Sequence, residues 1–356
     1  MKSLALLMTV VSLMGALICG VVQFASPSPQ QSDLRADVNL VSIYFSVRDK
    51  REKLMTNLTK DDFKVLEDGR PQEISFFAHH TDLPMNIGVL LDTSTSLART
   101  LGLEADAASR FFRTVMQKND QGFVVSYASR IDVLQVPTED AERLATKAQG
   151  IRSNARIFDN TSSAPSRTPT SPFPGRLPVP VPMPAPPTTG PNPADLRIAR
   201  LYDAVNISVE RFLSQEVGRK VLVIAALADD AKSDSTLRDA LKTLKENDVI
   251  AYVLQVEHAP RSARDDCDIR HIFRNDDENR IGRLAVETGG RVIKVEGFEK
   301  MQAAFEQITE ELHHQYSLGY RPTNQNWDGG FRKVNIQGAK GYKISARDGY
   351  FAKPRG

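Results

Sequence analysis

The sequence predicts an α/β fold: a doubly wound, mostly parallel sheet with helices on both faces, joined to a small β-sandwich module built from flanking N- and C-terminal strands. Three observations carry that expectation. Uninterrupted apolar runs recur at residues 87–91, 122–127, 219–225 and 249–256, the pattern of strands buried on both faces of a parallel sheet. Segments with helical apolar spacing alternate with these runs, as strand–helix units require. The two flanks, residues 37–80 and 316–352, show period-two alternation instead, the mark of half-buried antiparallel strands.

A chain of 356 residues has room for one large domain and a small one. With 46 Lys and Arg against 44 Asp and Glu, the formal charge is +2, which gives no bulk attraction to nucleic acid. Met1-Lys2 followed by the apolar run 4–22 reads as an export signal with cleavage near Ala25, placing the mature chain outside the cell, in the periplasm or in the envelope. The run is also nearly long enough to span a bilayer, so retention of 1–25 as an anchor is the alternative, and membrane contact is expected only through it. After cleavage Cys267 is the sole cysteine, and no internal disulfide forms.

From the start of the mature chain, Val41, Ile43, Phe45 and Val47 alternate with polar residues and predict a strand. Asp61, Phe63 and Val65 lead to a hairpin turn at Asp68-Gly69, and Ile74 with Phe76 resumes the alternation. Residues 85–314 predict the α/β domain. Its first strand, 87–91, ends in Asp92-x-Ser94-x-Ser96. In a loop leaving the carboxyl end of a strand, alternate residues point the same way, so one carboxylate and two hydroxyls converge. These hard oxygen donors suit Mg²⁺ or Mn²⁺; the plainer reading is that Ser94 and Ser96 cap the next helix. That helix shows Leu103, Ala107, Phe111 and Val115 at spacings of four. Thr138, followed by Glu139 and Asp140, opens another that fades near Gly150.

Residues 153–193 are rich in Pro, Ser, Thr and Gly, including Pro178-Val-Pro-Val-Pro-Met-Pro-Ala-Pro-Pro187, and predict a disordered, partly polyproline insertion. Leu201 opens a helix through Phe212, and 237–245 and 301–314 are two more. Residues 258–279 form a polar loop with Cys267, Asp268 and His271, whose spacing lacks the second pair a zinc site needs. Val334 with Ile336, and Tyr342 with Ile344 and Ala346, alternate as the final strands.

The buried strand, the Asp92-x-Ser94-x-Ser96 loop and the amphipathic helix resemble the opening of a von Willebrand factor type A domain with its metal-ion-dependent adhesion site. Asn57-Leu-Thr-Lys-Asp-Asp-Phe63 with its continuation to Phe77, Arg200-Leu-Tyr-Asp-Ala204, Arg219-Lys-Val-Leu-Val-Ile-Ala225 and Tyr316-Ser-Leu-Gly-Tyr320-Arg-Pro322 are similar to a related bacterial family of secreted proteins. The resemblance covers most of the chain from about Asp37 to Phe351. It implies an adhesion-type protein-binding module, not an enzyme, in which an acidic side chain of the partner completes the bound cation's coordination. It also implies that Ala199 stands where a threonine ligand belongs and Leu227 where an aspartate belongs. The site is therefore expected to be degenerate and its cation binding weak, with Asp229 and Asp230 the substitutes if the loop register slips. A structural or assembly component of the envelope that needs no cation is the alternative. A hydrolase is the remaining class, and it would need a base for Ser94 that the sequence does not show; no dinucleotide or phosphate-loop glycine pattern follows the first strand either.

Overall fold

In the computed structural model the chain is described over residues 40–79, 83–94, 101–161, 199–226, 233–257 and 275–353, with the backbone alone at 152–161, 257, 275–279 and 298. Alternation yields β1 (Val41–Arg48), followed by β2 (Lys64–Glu67), β3 (Arg70–Gln72) and β4 (Ile74–His79). Asp68 (φ 47°) and Gly69 (φ 80°) both take the left-handed conformation that a two-residue hairpin demands, and β2 and β3 pair across them. The expected alternation of Ile74 with Phe76 fails. Tyr320 faces Ile74 while Gly319 faces Phe76, so Ser75 is an extra residue in the ladder. The bulge reverses the pleat, leaving Phe76 51% exposed and turning Phe77 to the core.

The continuous apolar runs become a central six-stranded sheet. Its strands are β5 (Met85–Asp92), β6 (Gln121–Tyr127), β7 (Ile131–Thr138), β8 (Arg219–Ala226), β9 (Val249–Glu257) and β10 (Val292–Glu296), in the spatial order β10-β9-β8-β5-β6-β7. Every pairing is parallel except the antiparallel edge strand β7. All eight residues of β5 are buried. Gly88 within it has a packing reason: a Cβ there would stand 2.2 Å from the Phe123 ring.

Six α-helices of the described residues cover the sheet: α1 (Leu101–Val115), α2 (Ala141–Thr161), α3 (Leu201–Ser208), α4 (Leu237–Glu246), α5 (Asn275–Val286) and α6 (Met301–His313). One apolar cluster packs α1, α2 and α6 on Ile87, Val89 and Leu91 of β5, and a second packs α3, α4 and α5 on the opposite face. Two helix readings need correction. Leu103 is 46% exposed, while Leu101, Glu104, Ala105 and Ala108 are buried, because a spacing of four drifts off a 3.6-residue turn. The helix expected to fade at Gly150 runs on to Thr161, since no proline interrupts it there and one glycine costs only about 1 kcal/mol. The Pro-rich stretch so overlaps this helix over 153–161, and its part from 162 to 193 lies outside the described residues, as do residues 1–25.

The chain ends in β11 (Tyr316–Tyr320), β12 (Phe331–Gln337), β13 (Lys343–Ala346) and β14 (Gly349–Phe351). Strands from the two flanks interleave in two four-stranded sheets, β13-β1-β11-β4 and β14-β12-β2-β3. Phe45, Phe63, Val65, Tyr316, Leu318, Val334 and Ile336 share one core between them. Phe45 meets Phe63 edge-on at 5.1 Å and stacks on Tyr316 at 5.5 Å. This core is locked to the α/β layer through Glu311 of α6, which is fully buried. Its carboxylate accepts from Arg48 Nη2 (2.5 Å), Ser46 Oγ (2.7 Å), Tyr252 OH (3.1 Å) and Arg291 Nε (2.7 Å).

Candidate metal centre

Asp92 ends β5 at the strand where the winding of the sheet reverses: β6 follows on one side and β8 is laid down later on the other. In open α/β sheets this reversal opens the crevice that takes ligands. Asp92 is 2% exposed and Ser94 6%. The Ser94 amide donates to Asp92 Oδ1 at 2.9 Å, a local turn that holds the carboxylate over the start of the loop. Between them, the Thr93 amide donates to the Tyr127 carbonyl at 2.9 Å and its hydroxyl reaches the same oxygen at 3.3 Å. Tyr127 OH in turn donates to the Ala225 carbonyl at 2.8 Å, tying the carboxyl ends of β6 and β8 across β5. Asp92 and Ser94 are thus brought together on a braced edge. Ser96 lies outside the described residues.

The motif gave no sign of a second acid at this point, Glu104 of α1. It is 1% exposed, and its Oε1 has no hydrogen-bond partner. Burial first, and the Asp92 carboxylate second, push the Glu104 carboxyl well above the usual carboxylate range, against a weaker pull from the Asp92 backbone N–H. A sequence signal existed: Glu104 falls in the same helical stripe as Leu101, Ala105 and Ala108, a charge where an apolar side chain belongs.

No protein-family model matches the sequence, and no curated protein matches it. Among solved structures, the chain is similar to proximal thread matrix protein 1 from the mussel byssus, at 10% identity and a TM-score of 0.45 over 69% of this chain and 51% of that one. This chain therefore spans about half the length of that protein, another crystal of which is described as having a zinc-occupied metal-ion-dependent adhesion motif. It is also similar to the conserved hypothetical protein BatB from Bacteroides thetaiotaomicron, at 16% identity and a TM-score of 0.40 over 64% of this chain and 97% of that one. A von Willebrand factor type A protein from Catenulispora acidiphila matches at 9% identity and a TM-score of 0.42, over 87% and 74% of the two chains. These neighbours are von Willebrand A-type domains.

Ala199 is buried at 4% exposure in the apolar cluster under α3, α4 and α5, and its methyl group gives the site no side-chain oxygen. Leu227, Asp229 and Asp230 lie outside the described residues, as do Cys267, Asp268 and His271. The neighbouring loop is fixed by Asp203 of α3, whose carboxylate accepts from the Asp234 amide (3.0 Å), the Ser235 amide (2.9 Å) and Arg200 Nε (2.9 Å). Burial opposes ionisation of Asp203, but the hydrogen bonds from Ser235, Asp234 and Arg200 outweigh it and hold the carboxyl below its ordinary value. Among the described residues no three His, Cys, Asp or Glu side chains gather as a metal group. Asp92, Glu104 and Ser94 are all oxygen donors, and a buried carboxyl oxygen lacking a donor fits a hard divalent cation.

Proposed function

We propose that this is an exported, adhesion-type protein-binding module, not an enzyme, that offers the carboxyl-end face of residues 85–314 to a protein partner. The sandwich of residues 37–80 and 316–352 serves as its stalk. The carrying observation is the position of Asp92: buried at the reversal strand, locked by the Ser94 amide, on an edge braced by Tyr127. Asp92, Ser94 and Ser96 hold a Mg²⁺ or Mn²⁺ ion with about millimolar affinity, roughly 4 kcal/mol of binding energy, and the partner's acidic side chain completes its coordination. Export rests on residues 1–25; among the described residues no helix is long and apolar enough to cross a membrane.

The buried Ala199 supports a second reading, a structural or assembly component of the envelope that engages partners without a cation. Photo-cross-linking separates the two. A photoreactive residue at Thr93, on the carboxyl-end face, is compared with one at Val217, which is 85% exposed just before β8 at the other end of the sheet. A partner captured from Thr93 alone, and lost with Asp92→Ala or with EDTA, is the expected result. Capture from Val217 alone, or capture indifferent to Asp92 and EDTA, favours the assembly component.

A further inference from the structure

Glu104 poses a question that the motif loop does not answer. It is a carboxyl on the apolar face of α1, 1% exposed, and it lies in the field of a second carboxylate, Asp92, itself 2% exposed. No basic side chain of the described residues stands against Glu104, and Oε1 has no hydrogen-bond partner. Two buried carboxyls at one place are compatible with three arrangements: a proton on Glu104 alone, a proton shared between them, or a cation between them. No hydrogen bond joins the Asp92 and Glu104 side chains, and a proton on Glu104 alone still leaves its buried Oε1 without a partner, which a cation would supply. The contrast with Glu311 is direct, since that acid, equally buried, has two guanidinium groups and two hydroxyls donating to it.

We infer that Glu104 is a ligand of the divalent cation and supplies, from the helix beneath the loop, the second acid that the site lacks with leucine at position 227. The inference rests on the metal reading of Asp92 given above. A site with Asp92 alone has one formal negative charge; adding Glu104 gives two, enough to balance a divalent ion, and charge count is the main determinant of affinity in open oxygen sites. The cation so held sits between the motif loop and α1, which couples its binding to the position of the helix. Ser94 supplies a neutral oxygen, and water or a partner's carboxylate fills the remaining positions.

The test uses Mn²⁺ as the probe on the full chain, with binding followed by the loss of the free-ion paramagnetic resonance signal and by calorimetry. Wild type binds one Mn²⁺. Glu104→Gln keeps the shape and removes the charge, and it weakens binding tenfold or more; Glu104→Asp keeps the charge but retracts the oxygens by one methylene, and it weakens binding severalfold. Circular dichroism establishes that each variant is folded, and the Asp variant is read alone if the Gln variant is not. Mn²⁺ affinity unchanged in the folded variants overturns the inference while leaving Asp92 as a cation ligand, provided Asp92→Ala still abolishes binding. Failure of wild type to bind Mn²⁺ at millimolar concentration overturns it as well. The first result leaves the metal reading of Asp92 standing; the second removes the cation from that reading as well, and the Thr93 and Val217 cross-links then decide whether a partner is engaged without one.

Discussion

Two buried glutamates, one near each end of the central sheet, have received opposite treatment. Glu311 is fully buried where α6 meets the sandwich and accepts from Ser46, Arg48, Tyr252 and Arg291. Glu104 is buried where α1 meets the end of β5 and has an oxygen with no donor and another acid for a neighbour. The difference teaches where the molecule is finished and where it waits. A satisfied buried ion network specifies how two layers dock, whereas an unsatisfied one costs stability and is retained where a ligand supplies the missing partner.

The largest effect is expected from breaking the finished end. Glu311→Gln leaves the buried Arg48 and the part-buried Arg291 with their charge unanswered and should cost about 3–5 kcal/mol in urea unfolding at neutral pH. A cost under about 1 kcal/mol would show that the sandwich docks by its apolar contacts alone, and the contrast between the two ends would then lose its energetic meaning.

Asp203 sharpens the comparison because it is a satisfied acid at the open end. Its carboxylate holds the amides of Asp234 and Ser235, so Asp203→Asn should cost about 2 kcal/mol at pH 7. Its folded-state pKa is depressed below the ordinary aspartate value of 3.8, so the stabilisation is fully present above 3.8 and is lost as the pH falls through the lower folded value. Thermal melts of wild type and Asp203→Asn should therefore differ at pH 7 and converge as the pH falls from 3.8 through the lower folded value. A difference that persists in strong acid would point to packing, not to ionised hydrogen bonds.

The same contrast explains what the sequence disclosed. Strands announced themselves where one physical rule acted alone: β5, β6, β8 and β9 as continuous apolar runs, β1 as alternation, the hairpin at Asp68-Gly69 as turn chemistry. Phe76 misled because a bulge in the pairing with β11 reverses the pleat, and pairing partners are invisible to a local pattern. β14 has three residues and owes its existence to β12 beside it. In the candidate site, the closeness of Asp92 and Ser94 was legible from their spacing in a strand-terminal loop. Glu104 was not, because a stripe counted from Leu103 in steps of four walks around the helix and passes it by. Reading the stripe at 3.6 residues per turn makes the buried charge conspicuous.

The smallest expected effect reverses sign, and it puts the comparison to its hardest test. At Glu311 the carboxylate is the answer to two guanidinium groups, so any side chain without it leaves charges stranded. At Glu104 the carboxyl oxygen itself is stranded, and the surroundings, Leu101, Ala105 and Ala108, belong to an apolar packing face. Replacing a buried polar group that is left partly unsatisfied by an apolar one of similar shape removes its desolvation cost, and here only the weak pull of the Asp92 backbone N–H is lost with it. Glu104→Leu, measured in EDTA by urea unfolding, should therefore be about 1 kcal/mol more stable than wild type, and Glu311→Leu in the same buffer should be less stable. Adding Mn²⁺ should stabilise wild type in proportion to the logarithm of its free concentration and leave Glu104→Leu nearly where it was. If Glu104→Leu is destabilised in EDTA, the carboxyl is holding the fold as Glu311 does, and the two ends of the sheet differ in geometry but not in kind.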